Sequence, residues 1–357
     1  MKLKLTIIAL FISVLSYAQV VVTSSASFAT ALANAETQNI TSINLNGLTV
    51  QGNFVFPKAL GSSTGNLEIY NGTIDGSLKR VLPTSQSEAV DGANNWYRFS
   101  ANIHDIQFKG PSGVALQLNC MYSAIVHNNI FRGVDTGYVG IFMLNCDISN
   151  NRFTGCKLSS LVMRSGVGYW NGAGLSTSAS NNPRLIGNRI FNATGAKTGI
   201  SLIACSGINI EDHISEGGIP DYHIFIDGLN NTTSWFRNLE RIHIESKANI
   251  TSIYIAERQG FVHLADLFFQ YPSNMVEVAS QAGAITVVWD RIAYIPAAST
   301  IKSTGSTVRW VFNDVYPNIN VANTALWVDA KLPVVLNFNK LDNTGKVEET
   351  WVNGVKK

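Results

Sequence analysis

Short alternations of apolar and polar residues recur along the chain at nearly constant spacing. In the stretch Ile125–Phe131 a polar residue is followed two places later by an aliphatic one, then by an aromatic one. Aligned on the polar residue, the copies are His104, Asn128, Asn151, Asn188, Asp212, Glu240, Ala265 (apolar), Asp290 and Asn313. The residues two places later are Ile106, Ile130, Phe153, Ile190, Ile214, Ile242, Leu267, Ile292 and Val315. Most copies lie about 24 residues apart, and a repeat of about 20–50 residues predicts a solenoid.

The repeating unit has the period of a strand. Alternation of the kind seen in Arg241–Glu245 predicts short strands with one face turned inward. Between copies lie a Gly/Ser/Asn turn and a second apolar run, such as Gly113–Cys120 or Gly199–Cys205. No interval contains the amphipathic helix of a βαβ unit or the length of a propeller blade. We therefore predict stacked coils with two or three strands each around an aliphatic interior. In this prediction Ile130, Phe153, Ile190 and Ile214 lie in one inward column.

This pattern resembles the right-handed parallel β-helices of the pectate-lyase-like superfamily over residues 40–316. That superfamily includes polysaccharide lyases, glycoside hydrolases, phage tailspikes and adhesins. The resemblance implies an all-β fold, a right-handed parallel β-helix of about ten coils with a helical N-terminal cap and a β cap at the C-terminus. It also implies a polysaccharide or cell-surface glycan as partner. It does not choose between catalysis and a structural role, because a fold does not define a function.

The two ends of the chain depart from the repeat. Residues 1–18 combine a basic start, an apolar run and small residues before Gln19, which predicts a secretory signal peptide cleaved after Ala18. In residues 19–45 an Ala-rich stretch, with Ser27 as its candidate N-cap, predicts a short helix that covers the first coil. Residues 46–316 are the predicted β-helix. Strand-like runs in residues 317–357 predict either a C-terminal cap or a segment that pairs chains, for example in a homotrimer.

Composition narrows the choice of partners. Charged residues make up 14% of the chain and the net charge is +2, with no basic run beyond the signal peptide and the last two lysines. We therefore expect no nucleic-acid partner. No stretch is long and apolar enough to predict a membrane span. Since neither CxxC nor clustered Cys/His spacing occurs, we expect no metal and no cofactor.

Three of the four cysteines end comparable apolar runs. Cys120 and Cys146 lie about one coil apart, and adjacent coils are about 4.8 Å apart. In an exported chain these two cysteines could therefore lie close enough to form a disulfide. The interpretation that we favour is that Cys120, Cys146 and Cys205 are free buried thiols, because Cys packs as a small hydrophobic residue.

The interval between Asn151 and Asn188 is longer than the others by about a dozen residues, and insertions in solenoids form loops that often lie on the binding face. The excess falls in residues 164–181. Tyr169 and Trp170, between glycines, together with Arg164, are candidate sugar-binding residues. The alternative is a loop that folds back over the solenoid with Trp170 packed against it.

A second group of candidates lies between Asp212 and Glu257. If Ile224 and Ile226 point inward, the residues that alternate with them point outward along one line. Candidate catalytic residues in this predicted groove are Asp227, His223, Asp221, Tyr254 and Glu257. Candidate substrate-binding residues are Tyr169, Trp170, Arg164 and Phe225, with Asn119 and Asn145 from earlier coils.

Two chemistries would use such a groove. Glycoside hydrolysis needs two carboxylates at a set separation, which Asp227 with Asp221, Glu216 or Glu257 would supply. The alternative is that each residue is an ordinary solvent-facing side chain.

Polysaccharide lyase chemistry needs a base and a cation that holds the developing charge. His223 or Tyr254 would be the base, and Arg164 or Arg258 the cation. The polygalacturonase-like motifs Asn-Thr-Asp, Asp-Asp, Gly-His-Gly and Arg-Ile-Lys are not intact here, and the Arg-x-Pro-x-x-Arg of pectate lyases is missing. Catalytic residues of those families therefore do not carry over.

His243 and Glu245 are predicted to point outward on a different face, and we interpret them as a signature of the coil and not as a catalytic dyad. The sequence thus predicts an exported parallel β-helix that binds, and in one alternative cleaves, an extracellular polysaccharide. The second alternative is a tailspike-like or adhesin-type structural β-helix without catalysis.

Overall fold

The chain forms a parallel β-solenoid of about nine turns, which confirms the predicted fold class with slightly fewer coils than expected. The computed structural model describes residues 18–357 except 36, 58–65, 81–99, 111–112, 171–174, 179, 193–195, 220, 229–235, 246–249, 271–273, 281–282, 293–299, 305–307, 316–327, 330–334, 337, 342–346 and 353–354. The predicted signal peptide falls almost wholly outside the described residues and stays a prediction. Among them, no helix is long and apolar enough to cross a membrane.

The described residues contain one helix and 36 strands, numbered along the chain. The first elements are β1 (Ala18–Val21), α1 (Ser25–Asn34), β2 (Ile40–Asn44), β3 (Thr49–Phe56), β4 (Asn66–Arg80), β5 (Ser100–Lys109), β6 (Val114–Tyr122), β7 (Ile125–His127), β8 (Ile130–Arg132), β9 (Thr136–Leu144), β10 (Asp147–Ser149), β11 (Arg152–Thr154) and β12 (Ser159–Arg164). The central ones are β13 (Gly166–Trp170), β14 (Leu175–Ser178), β15 (Ser180–Asn181), β16 (Arg184–Ile186), β17 (Arg189–Asn192), β18 (Thr198–Ile203), β19 (Cys205–Ser206), β20 (Ile208–Glu211), β21 (Ile214–Gly217), β22 (Tyr222–Asp227), β23 (Phe236–Glu240), β24 (His243–Glu245) and β25 (Thr251–Glu257). The last are β26 (Gly260–Ala265), β27 (Phe268–Gln270), β28 (Asn274–Ser280), β29 (Ile285–Ile292), β30 (Thr300–Thr304), β31 (Val308–Val315), β32 (Val328–Asp329), β33 (Val335–Leu336), β34 (Phe338–Leu341), β35 (Val347–Val352) and β36 (Val355–Lys356).

Each complete coil contributes one strand to each of three faces. Face 1 contains β7, β10, β16, β20, β23 and β26, which pair in parallel in that order. Face 2 contains β8, β11, β17, β21, β24 and β27. Face 3 contains β6, β9, β12, β18, β22, β25, β28 and β30. The long strands β4, β5, β29 and β31 bend through more than one face, and their parallel pairings place residues of adjacent coils side by side.

Rows of apolar side chains fill the interior. On face 3 one inward row, in register from coil to coil, is Leu116, Tyr138, Leu161, Ile200, Ile224, Ile253 and Val276. On face 2, Phe108, Phe131 and Phe153 stack with centroids 4.9 and 4.7 Å apart. Each buried side chain of this size stabilises the fold by about 1.5–3 kcal/mol, so the interior is the main source of stability.

A polar ladder lies at the corner between faces 1 and 2. Asn129, Asn151 and Asn188 are buried, and the amide of each of the first two donates to the next Oδ1 at 3.1 Å. The residue before Asn129 and Asn151, Asn128 and Asn150, has a positive φ of 56° and 55°, a conformation that Asn tolerates better than most residues. This left-handed residue turns the chain at the corner and shifts the inward–outward alternation.

The shift corrects the sequence alignment at two positions. The prediction that Ile130 and Ile214 join Phe153 and Ile190 in one inward column is wrong, because Ile130 is 41% exposed and Ile214 is half-buried. All four lie on face 2, but the inward row is Phe131, Phe153, Ile190, Ser215 and Ile244. A one-residue offset moves a strand side chain to the opposite face.

The helix α1 covers the first coil, as predicted. Its Phe28 is buried and meets Phe54 edge-on at 4.6 Å. Ser24, and not Ser27, is the N-cap: the Ser24 hydroxyl accepts from the Ser27 amide at 3.1 Å, and Ser27 Oγ accepts from the Ser24 amide at 2.9 Å. This reciprocal pair is a capping box. At the other end, β34, β35 and β36 pair antiparallel, which ends the parallel stacking.

All four cysteines are buried thiols outside any disulfide, which confirms the favoured interpretation of Cys120, Cys146 and Cys205. Burial raises the pKa of Cys120, Cys156 and Cys205 to about 12 and that of Cys146 further. These thiols are therefore protonated and pack as apolar groups.

Candidate functional site

Three aromatic rings gather on the outer surface of face 3. Phe225 and Tyr254 are register partners on β22 and β25, and their rings stack with centroids 5.4 Å apart and planes 7° from parallel. Tyr222 lies against both, at 5.3 Å from Phe225 and 5.2 Å from Tyr254. All three side chains are half-buried. We call them the aromatic cluster; two of its rings stack on each other, the ring of Tyr222 is tilted by 39° and 40° to them, and the two tyrosines add phenol groups.

Carboxylates surround the two phenols. Glu277 is the register partner of Tyr254 in the next coil. Burial, then Glu277 and Asp221, raise the pKa of Tyr222. Burial, then Glu277, Tyr222 and Asp227, raise the pKa of Tyr254. Both tyrosines are therefore neutral hydrogen-bond donors at physiological pH, and the surface around them is negatively charged.

The prediction that His223 points into the groove is wrong. Its side chain is fully buried, and its Nδ1 lies 2.7 Å from Ser215 Oγ inside the solenoid. Burial, and secondarily His213, lower its pKa to about 3. The residue before an inward aliphatic on face 3 sits at a corner, where the strict alternation assumed from the sequence does not hold. His223 therefore has no route to a bound polysaccharide.

Glu257 is also withdrawn from the surface. It is 2% exposed, and Arg237, which is 1% exposed, donates to its Oε1 from Nε at 2.7 Å. Arg237 also donates from Nη2 to the carbonyl of Cys205 at 2.8 Å. A Cβ on Gly228 would come within 2.1 Å of Glu257 Oε2, so a glycine leaves room for the carboxylate. Glu257 is thus one half of a buried ion pair.

The two asparagine candidates do not join the aromatic cluster. Asn119 is fully buried, and its side-chain amide donates to the carbonyl of buried Arg80. Asn145 is exposed at the turn after β9, where its Oδ1 accepts from Asn182 at 3.0 Å. Both side chains therefore have a structural role, because each bonds to a neighbouring part of the chain.

Arg164 is exposed and lies in the same row as Asp227, with Ile203 between them. Two strand spacings separate their backbones by about 10 Å. Arg164 therefore shares the outer surface of face 3 with the aromatic cluster and lies two coils before Phe225. Its role in binding stays a prediction. Asp227 is half-buried and Asp221 is exposed.

The insertion after Arg164 forms an antiparallel hairpin of β13 and β14. Its base lies against face 3: an added Cβ on Gly166 would come within 2.1 Å of Ile141 Cγ2, and Ile141 is only 3% exposed although it shares an outward row with Arg164. The base therefore folds back over the solenoid. The side chains of Tyr169 and Trp170 lie outside the described part of the chain, so their sugar-binding role stays a prediction.

The distance between Asp221 and Asp227 excludes them as a pair of catalytic carboxylates. Asp221 and Asp227 stand at opposite ends of one strand, about 20 Å apart at the usual rise per residue. Glycosidase pairs are about 5–9.5 Å apart. Glu216 lies on face 2, around a corner from Asp227. These pairs, predicted from sequence order, are therefore not assembled on face 3.

Sequence reasoning missed two members of this surface, Tyr222 and Glu277. Tyr222 precedes the inward run of β22, and Glu277 matches Tyr254 one coil later. Alignment of complete face 3 strands, and not of the polar anchors alone, would have found Glu277. Compared with models of known protein families and with curated proteins, the chain shows no match.

Proposed function

We propose that the protein is exported and binds an extracellular polysaccharide through the aromatic cluster on face 3. The observation that supports this most is the pair of parallel rings of Phe225 and Tyr254 on adjacent coils. Because these two rings stack on each other, their solvent-facing parts, together with Tyr222, offer the apolar contact for the C–H groups of a sugar. The phenols and the neighbouring carboxylates bond to sugar hydroxyls. In the same row Ser201 precedes Phe225 and Glu277 follows Tyr254, so polar side chains lie on both sides of the rings along the axis of the solenoid.

The charge around the cluster favours a neutral polysaccharide. Asp221, Asp227 and Glu277 all lie close enough to raise the pKa of a cluster tyrosine. A polyuronate would place further carboxylates beside them, and like charges repel. The hydroxyl groups of a neutral sugar donate hydrogen bonds to these carboxylates without such repulsion between charges.

Binding without cleavage is the form of the proposal that the geometry favours. A lyase needs a base beside the substrate, but His223 is buried and a raised pKa makes Tyr254 a poor base at neutral pH. A hydrolase needs a carboxylate pair, and Glu257 is committed to Arg237.

Retention on a panel of immobilised neutral and acidic polysaccharides tests the proposal. We expect the double variant Phe225→Ala/Tyr254→Ala to weaken binding at least about tenfold, since each lost aromatic contact contributes on the order of 1 kcal/mol. The matched control is Phe236→Ala/Phe261→Ala, which removes another stacked pair, 5.8 Å apart on face 1. No retention of any polysaccharide, or equal loss in the control, would contradict the proposal.

Two further measurements complete the test. Reducing-end and unsaturated-uronate assays on the retained polysaccharides report cleavage, and we expect none. N-terminal sequencing of protein recovered from the medium of an expressing bacterium tests export, with Gln19 expected as the first residue.

The second candidate is a structural fibre of tailspike or adhesin type. The antiparallel strands β34–β36, which interrupt the parallel stacking, favour it as a segment for pairing chains into a homotrimer. Light scattering of the purified protein separates the two: a trimer that retains no polysaccharide supports the fibre, and a monomer rejects it.

A further inference from the structure

A cluster of possible metal ligands lies on face 2, away from the aromatic cluster. Glu216 on β21 and His243 and Glu245 on β24 offer one ligand atom each, and these atoms all lie within 4.8 Å of one another. His243 Nε2 is 3.1 Å from Glu245 Oε1. The three side chains are half-exposed, so the position between them is open to solvent. We call them the Glu–His–Glu cluster.

The backbone sets this convergence. Glu216 and Glu245 are register partners on adjacent parallel strands, and His243 is two residues before Glu245 on the same outward side. The imidazole ring also packs against Phe268 in the next coil, with centroids 4.7 Å apart. Adjacent strands and an aromatic neighbour thus hold the three ligands in place before any ion binds.

Charge provides an independent observation. Like charges directly opposite each other on adjacent strands destabilise a sheet. In the other pair of opposed glutamates among the described residues, Glu211 and Glu240, Arg241 bonds to both carboxylates. Among the described residues, no Lys or Arg forms an ion pair with Glu216 or Glu245, and His243 is the only basic partner of Glu245. A cation at the Glu–His–Glu cluster would offset this repulsion.

A comparison with another histidine shows why these three residues fit one ion. His104 also has two carboxylate neighbours, but Asp105 contacts its Nδ1 and Glu68 contacts its Nε2. Those carboxylates lie on opposite sides of the ring and cannot share a single ion with one nitrogen. In the Glu–His–Glu cluster one nitrogen of His243 lies within 4.8 Å of an oxygen of each carboxylate.

We propose that the Glu–His–Glu cluster binds a divalent transition-metal ion, with Zn²⁺ as the first ion to test. One imidazole nitrogen and two carboxylates suit Zn²⁺ and leave a fourth position for water. Ca²⁺ prefers six to eight oxygen ligands and fits this set poorly. Because Glu216 belongs to one coil and the other two ligands to the next, the ion would tie two coils together. An ion that binds the folded chain and not the unfolded chain raises the free energy of unfolding.

The test uses the whole protein after treatment with EDTA and dialysis. Calorimetric titration with ZnCl₂, MnCl₂ and CaCl₂ is expected to show one saturable Zn²⁺ equivalent, weaker Mn²⁺ and no Ca²⁺ binding. His243→Ala and Glu216→Gln should each lower Zn²⁺ affinity by about tenfold or more. His104→Ala is the matched control and should bind as the unchanged protein does.

A thermal readout distinguishes a metal site from a purely structural cluster. Glu216→Gln/Glu245→Gln removes the opposed charges, so its metal-free Tm should equal or exceed that of the unchanged protein. The rise in Tm on adding Zn²⁺ should be lost in this variant.

Lys247 follows Glu245 by two residues and lies outside the described part of the chain, so Lys247→Ala is titrated in parallel. The proposal is overturned if neither the unchanged protein nor Lys247→Ala binds Zn²⁺ saturably. It is overturned equally if His243→Ala binds as well as His104→Ala does, because the ion would then be held elsewhere.

Discussion

Ser215 Oγ lies 2.7 Å from His223 Nδ1 inside the solenoid, in a row where the neighbouring coils carry Ile190 and Ile244. The corner position of His223 corresponds to Gly199 in the preceding coil, where a Cβ would come within 2.6 Å of the His223 carbonyl. A small residue at 215 thus makes room for a large one at 223. Compared with the equivalent residues of the preceding coil, Ile190 and Gly199, the smaller Ser215 and the larger His223 compensate in volume. Their polar groups bond to each other.

Ser215→Ala is expected to lower the free energy of unfolding by about 1–3 kcal/mol. The substitution leaves His223 Nδ1 without its partner in a buried site, and His223 Nε2 already has none among the described residues. Urea denaturation at pH 7 measures the change. Ser149→Ala on half-exposed β10 should cost less than about 0.5 kcal/mol, and equal effects at both sites would contradict the assignment.

The buried histidines are expected to make the protein acid-sensitive. Burial lowers the pKa of His213 to about 4, partly offset by the backbone of Asn188, and that of His223 to about 3. A histidine whose pKa is lower when folded takes up protons on unfolding below its unfolded pKa of about 6.5. Stability should therefore be constant above that pH. Below it, stability should fall by up to about 1.4 kcal/mol per pH unit for each histidine, until the folded pKa is reached.

His213→Asn checks this explanation by continuing the asparagine ladder one coil further. Residue 213 directly follows the left-handed corner residue Asp212, as Asn129 and Asn151 follow theirs. An asparagine there would place an Oδ1 near the Asn188 amide, in the arrangement seen between Asn151 and Asn188. We expect the variant to fold and to lose about half of the dependence on pH between 6.5 and 4 in urea denaturation. An unchanged slope would show that other groups cause it.

Glu257→Gln should be strongly destabilising. Removing the charge leaves the Arg237 guanidinium buried without its carboxylate, which typically costs about 3–5 kcal/mol. The matched control is Asp147→Asn in the exposed pair with Arg184, 3.5 Å apart, whose loss should cost less than about 1 kcal/mol. Thermal and urea unfolding measure both. If Glu257→Gln lost polysaccharide binding at unchanged stability, the residue would belong to the groove after all.

The predicted groove shows which site residues can be placed correctly from the sequence. Phe225 and Tyr254 were correctly placed together, because residues that alternate with Ile224 and Ile226 in mid-strand must point outward. His223 and Glu257 were misplaced, because both lie near strand ends, where the chain turns a corner and the alternation breaks. Asn119 does lie in the outward row of Ile141 and Arg164, as the alternation predicts, but it is buried there and bonds to the carbonyl of Arg80. The alternation of one strand does not show which outward positions are covered.

The sequence by itself determined that this chain is a parallel β-solenoid. A short strand pattern that recurs in every coil buries its apolar side chains only when equivalent strands of successive coils stack on one another. It also favoured the packing of Cys120, Cys146 and Cys205 as apolar groups over a disulfide, and the structure decided that point. Only the tertiary structure decided which polar residues face inward. A left-handed residue at a corner, such as Asn128 or Asp212, shifts the alternation by one place, and the side chains of the strand after it change sides. That shift buries His213 and leaves His243 exposed beside Glu216, and it is a property of the stacked coils and not of any single strand.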